Sequence, residues 1–281
     1  LLKLRPDWQT YLHTLRRREI EAIFWQCPPA CFARGLELGA GDGFQSGLLA
    51  RYTRELVVTD YYPGILNLPD TATMTHRMCD AERVGETFAA GEFDLIFSSN
   101  VLEHLPRVGE ALAGIHRALR DDGLAIHVMP SPFWKLCQMV GFYPNFVLAR
   151  LERYSVRRAG RKAAATGQTG AAAGPTGTWD NNPKVEGRRY SYLRRLLWAT
   201  PHGAANSNLE EFRTFRPAHW RTRLAAAGFN LLRVIRGPVS SGYGFGLDPA
   251  RVFLERAGLA SEYVYITCKT GYPSPFQVYF R

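Results

Sequence analysis

The chain has 281 residues, 46% of them hydrophobic, and 35 Lys and Arg against 25 Asp and Glu give a net charge of +10. That length can bury a full core as one domain with elaborations. No apolar run approaches the roughly 20 residues needed to span a bilayer, no signal-peptide pattern opens the chain, and five scattered cysteines exclude a disulfide framework. A reducing cytoplasm is the expected compartment. The charge is uneven: Arg150 to Arg195 holds eleven basic side chains against three acidic ones, a net of +8. A local anionic partner, or a solvated basic surface, is therefore expected in that segment.

In chain order, Asp7 to Trp25 carries an apolar stripe through Trp8, Tyr11, Leu12, Leu15, Ile20, Ile23 and Phe24, which predicts a helix ended by Pro28-Pro29. Its Arg16-Arg17-Arg18-Glu19 run is expected to be the solvated face, and Trp8 and Tyr11 to pack in the core. Cys27 and Cys31 look like half a metal site, but no Cys/His pair of ligand spacing answers them, so two part-buried thiols are expected.

Leu36 to Asp60 is the stretch on which the rest depends. An apolar run ends in Glu37-Leu38, three alternating glycines follow (Gly39, Gly41, Gly43), a helix begins, and Leu56 to Thr59 forms a second strand ending on Asp60. Strand, glycine loop, helix, strand and acidic tip form the opening unit of a nucleotide-binding sheet. A dinucleotide fingerprint needs glycine where Phe44 stands, and Glu37 would repel a pyrophosphate. A cationic sulfonium and ammonium suit Glu37 better. The pattern resembles the class I S-adenosylmethionine-dependent methyltransferases, which implies an α/β Rossmann-like fold with a seven-stranded, mostly parallel sheet, helices on both faces and S-adenosyl-L-methionine as cofactor.

Within that resemblance Glu37, Gly39, Gly41 and Gly43 line the donor, Asp60 with Tyr61 takes the ribose, and Asp80-Ala81 after a strand at Thr75–Met78 takes the adenine. The other reading of Asp80 is a helix N-cap. The segment Phe93 to Leu105 (FDLIFSSNVLEHL) resembles the fourth-strand motif of the small-molecule and lipid branch, placing Asn100 beside the donor and His104 toward the acceptor, with Glu103 orienting its neighbours. A helix over Val108–Leu119 and a strand over Gly123–Met129 follow. The expected division is 1–34 for the N-terminal helix, 35–130 for the cofactor half, 131–216 for an inserted cap, and 217–281 for the end of the sheet.

Within the cap, Trp134 to Tyr154 reads as helical or membrane-proximal, Ala163 to Gly177 as a flexible loop, and Tyr190 to Trp198 as a basic amphipathic helix. Pro217–Ala227, Leu231–Ile235 and Glu262–Lys269 supply the last helix and strands, joined through a Gly- and Ser-rich insertion over Gly237–Leu259. Methyl transfer from a sulfonium is an in-line displacement governed by alignment, and a base is needed only when the acceptor must lose a proton. His104, His202 and His219 are the candidate bases, with His104 and His202 carried as catalytic. No carboxylate cluster of the magnesium-dependent kind is seen, so no metal is expected.

The expected function is methylation, at oxygen, of a small-molecule, sugar- or lipid-linked acceptor. Residues 150–195 could face an anionic membrane or a phosphate group, which would place the protein in the cytoplasm or peripherally on the inner membrane face. RNA methylation is the alternative, with nucleic acid as partner. A cofactor-binding scaffold without methyl transfer is the alternative of another class.

Overall fold

The computed structural model describes residues 7–165, 201–240, 242–245 and 248–280. The Asp7 carboxylate accepts from Thr10 N and starts helix α1 (Trp8–Phe24), as an N-cap should. Strand β1 (Phe32–Leu38), α2 (Phe44–Leu49), β2 (Thr53–Asp60), β3 (Met74–Met78), α3 (Val84–Thr87), β4 (Phe93–Ser99), α4 (Val108–Ala118) and β5 (Leu119–Pro130) follow. Beyond β5 come α5 (Pro132–Ala165), α6 (Asn208–Thr214), α7 (Pro217–Ala226), β6 (Phe229–Arg236), α8 (Asp248–Arg256) and β7 (Glu262–Lys269).

The seven strands form one sheet in the order β3-β2-β1-β4-β5-β7-β6. β3 through β5 pair in parallel, and β7 runs antiparallel to both β5 and β6. The inner strands are buried on both faces, so β4 reads as a continuous apolar run with Phe93, Leu95, Ile96 and Phe97 at zero exposure, as parallel sheets require. Asp94 fixes the register at the strand bottoms, its two oxygens accepting from Ala33 N and Arg34 N. One core lies between the sheet and α3, α4 and α7, around Val84, Leu112, Ile115, Trp220 and Leu224. The other lies under α1 and α2, around Ile20, Ile23, Phe24 and Leu49.

The seven-stranded, mostly parallel sheet, and the late position of the last helix and two strands, match the expectation from sequence. β5 begins at Leu119, before Asp121-Asp122-Gly123, because its edge pairs with Phe93 and resumes after a register shift at Leu95↔Leu124. β6 starts at Phe229, directly after Gly228, whose φ of +86° ends α7. Cys27 and Cys31 are free thiols. Helix α5 runs on to Ala165, so the first three residues of the expected loop at 163–177 are helical. The rest of that loop and the helix expected at Tyr190–Trp198 lie outside the described residues.

The Arg16–Glu19 run corrects the sequence reading. Arg17 is exposed, but Glu19 is 1% exposed and Arg16 points inward. Arg18 pairs with Glu255 of α8 at 2.9 Å. Arg16 and Glu19 sit one turn from Leu12, Leu15, Ile20 and Ile23, on the buried side of the helix.

Candidate active site

The donor side is built at the C-terminal tips of β1 and β2. Gly39 has φ +73°, and a Cβ there would lie 2.4 Å from Val101 Cγ2. Only glycine therefore lets the loop pack against the segment after β4. Gly41 also has positive φ, and a Cβ there would meet nothing within 4 Å, so this part of the loop offers bare backbone to open space. Asp60 is buried, and its carboxylate accepts from Gly41 N at 2.8 Å and Tyr62 N at 2.9 Å. It thus holds the glycine loop against the tip of β2, while lone-pair sites remain on both oxygens.

Glu37 is 2% exposed and its Oε2 has no hydrogen-bond partner. Burial pushes its carboxyl up to about 7, with repulsion from Asp60 added. A buried carboxylate with one unpartnered oxygen, beside an open glycine loop, is suited to a cation. Asp80 caps the short turn Ala81–Arg83 through Glu82 N, which is the N-cap geometry, and Ala81 is buried beneath it. Tyr61 and Tyr62 stand half exposed, edge to face, beside the Asp60 tip.

Arg16 connects α1 to this site. Its guanidinium donates to Glu19 at 2.6 Å and to Ser99 Oγ at 2.8 Å, and lies 3.8 Å from Glu262. With the Asn100 amide oriented to suit its neighbours, the amide oxygen accepts from both terminal nitrogens of Arg16 at 2.8 and 3.0 Å. Glu19 Oε2 also accepts from Gln45 Nε2 of α2 and from Ser99 Oγ. Burial, and then the neighbouring Glu19, raise the Glu262 carboxyl well above the ordinary range. Asn100 has φ +54°, a left-handed conformation uncommon outside glycine. Arg16 holds its side chain and Val128 O holds its amide N–H.

The acceptor side forms where residues 202–211 fold onto the turn Leu102–His104. Ala204 N donates to Glu103 O, and a Cβ on Gly203 would lie 2.6 Å from the same oxygen. This brings the rings of His104 and His202 to 4.7 Å, with Trp134 of α5 4.8 Å from His202 on another side. Desolvation lowers His104 to about 4 and takes His202 well below its ordinary value, the latter helped by the charges of His104 and Lys135. Both imidazoles are neutral at physiological pH.

Beneath His202, Lys135 and Glu211 form an ion pair at 2.5 Å with both side chains at zero exposure. The other Glu211 oxygen accepts from the backbone N–H groups of His202 and Gly203. Lys135 also donates to Gln138 at 2.7 Å.

The structure thus brings together Glu37, the three glycines, Asp60 and Asn100 on the donor side, and His104 with His202 on the acceptor side. Asp80, Ala81 and Tyr61 stand at the strand tips beside the donor side. His219 is separate, on α7, where it accepts from Arg223. Trp8 and Tyr11 pack against each other and against Gly244. Sequence reasoning missed Arg16, Glu19, Glu262, Lys135 and Glu211. Arg16 and Glu19 carry a signal in retrospect, since charged residues on an apolar helical stripe are buried and paired or the stripe is broken.

Residues 36–127 match the family described as "Methyltransferase domain". No curated protein matches the chain in sequence. Among solved structures, the chain is similar to an S-adenosylmethionine-dependent methyltransferase from Mesorhizobium loti, with 16% identity over 90% of this chain and 99% of that one and a TM-score of 0.50. It is similar to a Listeria monocytogenes structure described in the same terms, at 12% identity, 91% and 98% coverage and a TM-score of 0.52. The [4+2]-cyclase SpnF shares the architecture at 13% identity, 96% and 85% coverage and a TM-score of 0.51. The fold by itself therefore does not fix the acceptor chemistry. The sheet has the α/β Rossmann-like methyltransferase architecture, and the matched domain with the glycine loop supports an S-adenosylmethionine-dependent methyltransferase with S-adenosyl-L-methionine as cofactor.

Proposed function

We propose that the protein methylates a hydroxyl oxygen of a small-molecule, sugar- or lipid-linked acceptor. The observation that carries this reading is the neutral His104–His202 pair, set where the segment after β4 abuts the glycine loop. S-adenosyl-L-methionine, when bound, supplies an electrophilic methyl group on a sulfonium. Glu37 meets the donor's ammonium and Asp60 its ribose hydroxyls, Asp80 with Ala81 takes the adenine edge, and Asn100 shapes the methionine side. The imidazoles would line the place of the acceptor hydroxyl, with Trp134 against His202 as one wall. Incubation with labelled donor and a cell extract tests the reading. Label is expected in the organic-soluble or small-molecule fraction and resistant to ribonuclease; label confined to RNA would replace this acceptor class with the other.

A lipid-linked acceptor is the form that α5 favours. Leu136, Val140, Tyr143, Val147, Leu151 and Tyr154 recur at helical spacing along it and are each about half exposed or more. The same helix carries Arg150, Arg153, Arg157, Arg158, Arg161 and Lys162. An apolar stripe with basic residues on one helix suits an anionic bilayer surface. No described helix is long and apolar enough to cross a membrane. The chain is expected to float with vesicles containing anionic lipid. Val140→Asp with Val147→Asp should weaken that association by at least about tenfold; unchanged flotation would remove the membrane from the reading.

Glu37 gives the donor side a pH signature. Its carboxyl titrates near 7, with Asp60 and Asp42 raising it and Arg16 lowering it, and only the ionised form attracts an ammonium. Affinity for S-adenosylhomocysteine should therefore rise with pH and level off above 7. At pH 6 about a tenth of the carboxyl is ionised, so the affinity should be roughly tenfold weaker than on the plateau. Glu37→Gln should flatten the profile by calorimetry; a variant that kept the wild-type slope would place the titration elsewhere. Asp60→Ala should weaken the same binding by about 1–3 kcal/mol, the scale of a lost charged hydrogen-bond pair.

A further inference from the structure

Among the described residues, Glu103, His104 and His202 form a group of metal-ligating side chains whose ligand atoms all lie within 4.8 Å of one another. We infer that these three residues form a binding site for a divalent transition cation. Two imidazoles and one carboxylate form a donor set suited to first-row ions, and less so to magnesium, which prefers oxygen alone. Ligands about 2.0–2.2 Å from such an ion lie about 3–4 Å apart, so only a small closure of side chains is needed.

The polar atoms support a missing occupant. The Glu103 side chain is 1% exposed, its Oε2 and His104 Nδ1 are buried without a hydrogen-bond partner, and Glu103 Oε1 is 3.7 Å from His104 Nε2. A buried carboxylate oxygen with no hydrogen-bond partner, in a cluster with two imidazoles, costs free energy that a cation would offset. Two cationic side chains approach the cluster, and each is already paired: Lys135 with Glu211, and Arg16 with Glu19 and Glu262. The sequence suggested no metal because its carboxylates are not clustered. His202 joins the site from 98 positions beyond His104, brought there by Ala204 N on Glu103 O and by Glu211 on the His202 and Gly203 backbone N–H groups.

The role of the cation, though not its binding, rests on the proposed hydroxyl acceptor. An acceptor oxygen added as a further ligand loses its proton to solvent more readily. The carbon–oxygen bond then forms as the donor's methyl–sulfur bond breaks. On this inference the imidazoles are ligands, and the proton leaves without passing to them.

The test is a titration of the full chain, freed of metal with a chelator, with Mn2+ followed by electron paramagnetic resonance. Mn2+ is chosen because it avoids the free thiols. Saturable binding of one ion per chain is expected. His202→Ala and the isosteric Glu103→Gln should each weaken it at least about tenfold, while S-adenosylhomocysteine affinity in His202→Ala stays at the wild-type value. No saturable binding by the wild type, or binding that both variants retain, overturns the site. Methyl transfer that survives the chelator undiminished overturns its catalytic role. A bound ion in a protein that labels no hydroxyl in any extract leaves the site standing and defeats the acceptor reading instead.

Discussion

Replacing Arg16 with Met is expected to destabilise the protein by about 3–5 kcal/mol near neutral pH, the scale for removing one member of a buried charge network. Glu19 is 1% and Glu262 4% exposed, and Arg16 is the cation between them. Without it, the two carboxylates have burial and mutual repulsion and no counter-charge. Glu262, whose carboxyl burial already raises well above the ordinary range, can escape by taking a proton, so the loss should shrink as pH falls. The expected pattern is a denaturant midpoint far below wild type at pH 8 and closer to it at pH 5. Glu262→Gln should restore part of the loss at high pH, because it removes one of the stranded charges. A variant as stable as wild type at pH 8 would show that Arg16 is not the counter-charge. Function should follow the same path, since Arg16 also holds the side chain of Asn100 in its left-handed conformation. Cofactor affinity should fall along with stability.

The history of Arg16 shows what was legible in the sequence and what was not. The parallel half of the sheet was legible because each strand buries both faces and so reads as an apolar run, as in Phe93–Phe97. The glycine loop was legible because Gly39 and Gly41 are required by local backbone geometry. The acidic tips at Glu37 and Asp60 were legible because they follow directly from strand ends. Arg16 and Glu19 were not, since a charged run on a helix is usually solvated and nothing local says otherwise. Their partners are Ser99 and Glu262, 83 and 246 positions from Arg16, and only the fold joins them. The acceptor side was half legible for the same reason. His104 sits in a recognisable segment after β4, whereas its neighbour His202 lies 98 positions further on and nothing local in the sequence says that the two rings meet. Lys135 and Glu211 were invisible because each is an ordinary charged residue until burial pairs them.

That pair carries the other large effect. Glu211→Ala should cost about 3–5 kcal/mol, because Lys135 would lose its carboxylate partner at 2.5 Å while its side chain stays at zero exposure. Burial already lowers the Lys135 ammonium, and Glu211 is what holds it charged. The stranded lysine can shed its proton, so the deficit should be largest at low pH and diminish as pH rises, the reverse of the Arg16 case. Adding Lys135→Met should recover much of the stability, since replacing both partners with apolar groups removes the uncompensated charge. It should not recover methyl transfer. Glu211 also receives the backbone N–H groups of His202 and Gly203, and no apolar side chain can replace those bonds. The double variant should therefore approach wild-type thermal stability and S-adenosylhomocysteine affinity while kcat falls by at least about tenfold, as expected when an acceptor-side group is misplaced by a fraction of an ångström to an ångström. Restoration of both stability and kcat would mean that the pair serves the fold alone, and that His202 is positioned by its contacts with His104 and Trp134.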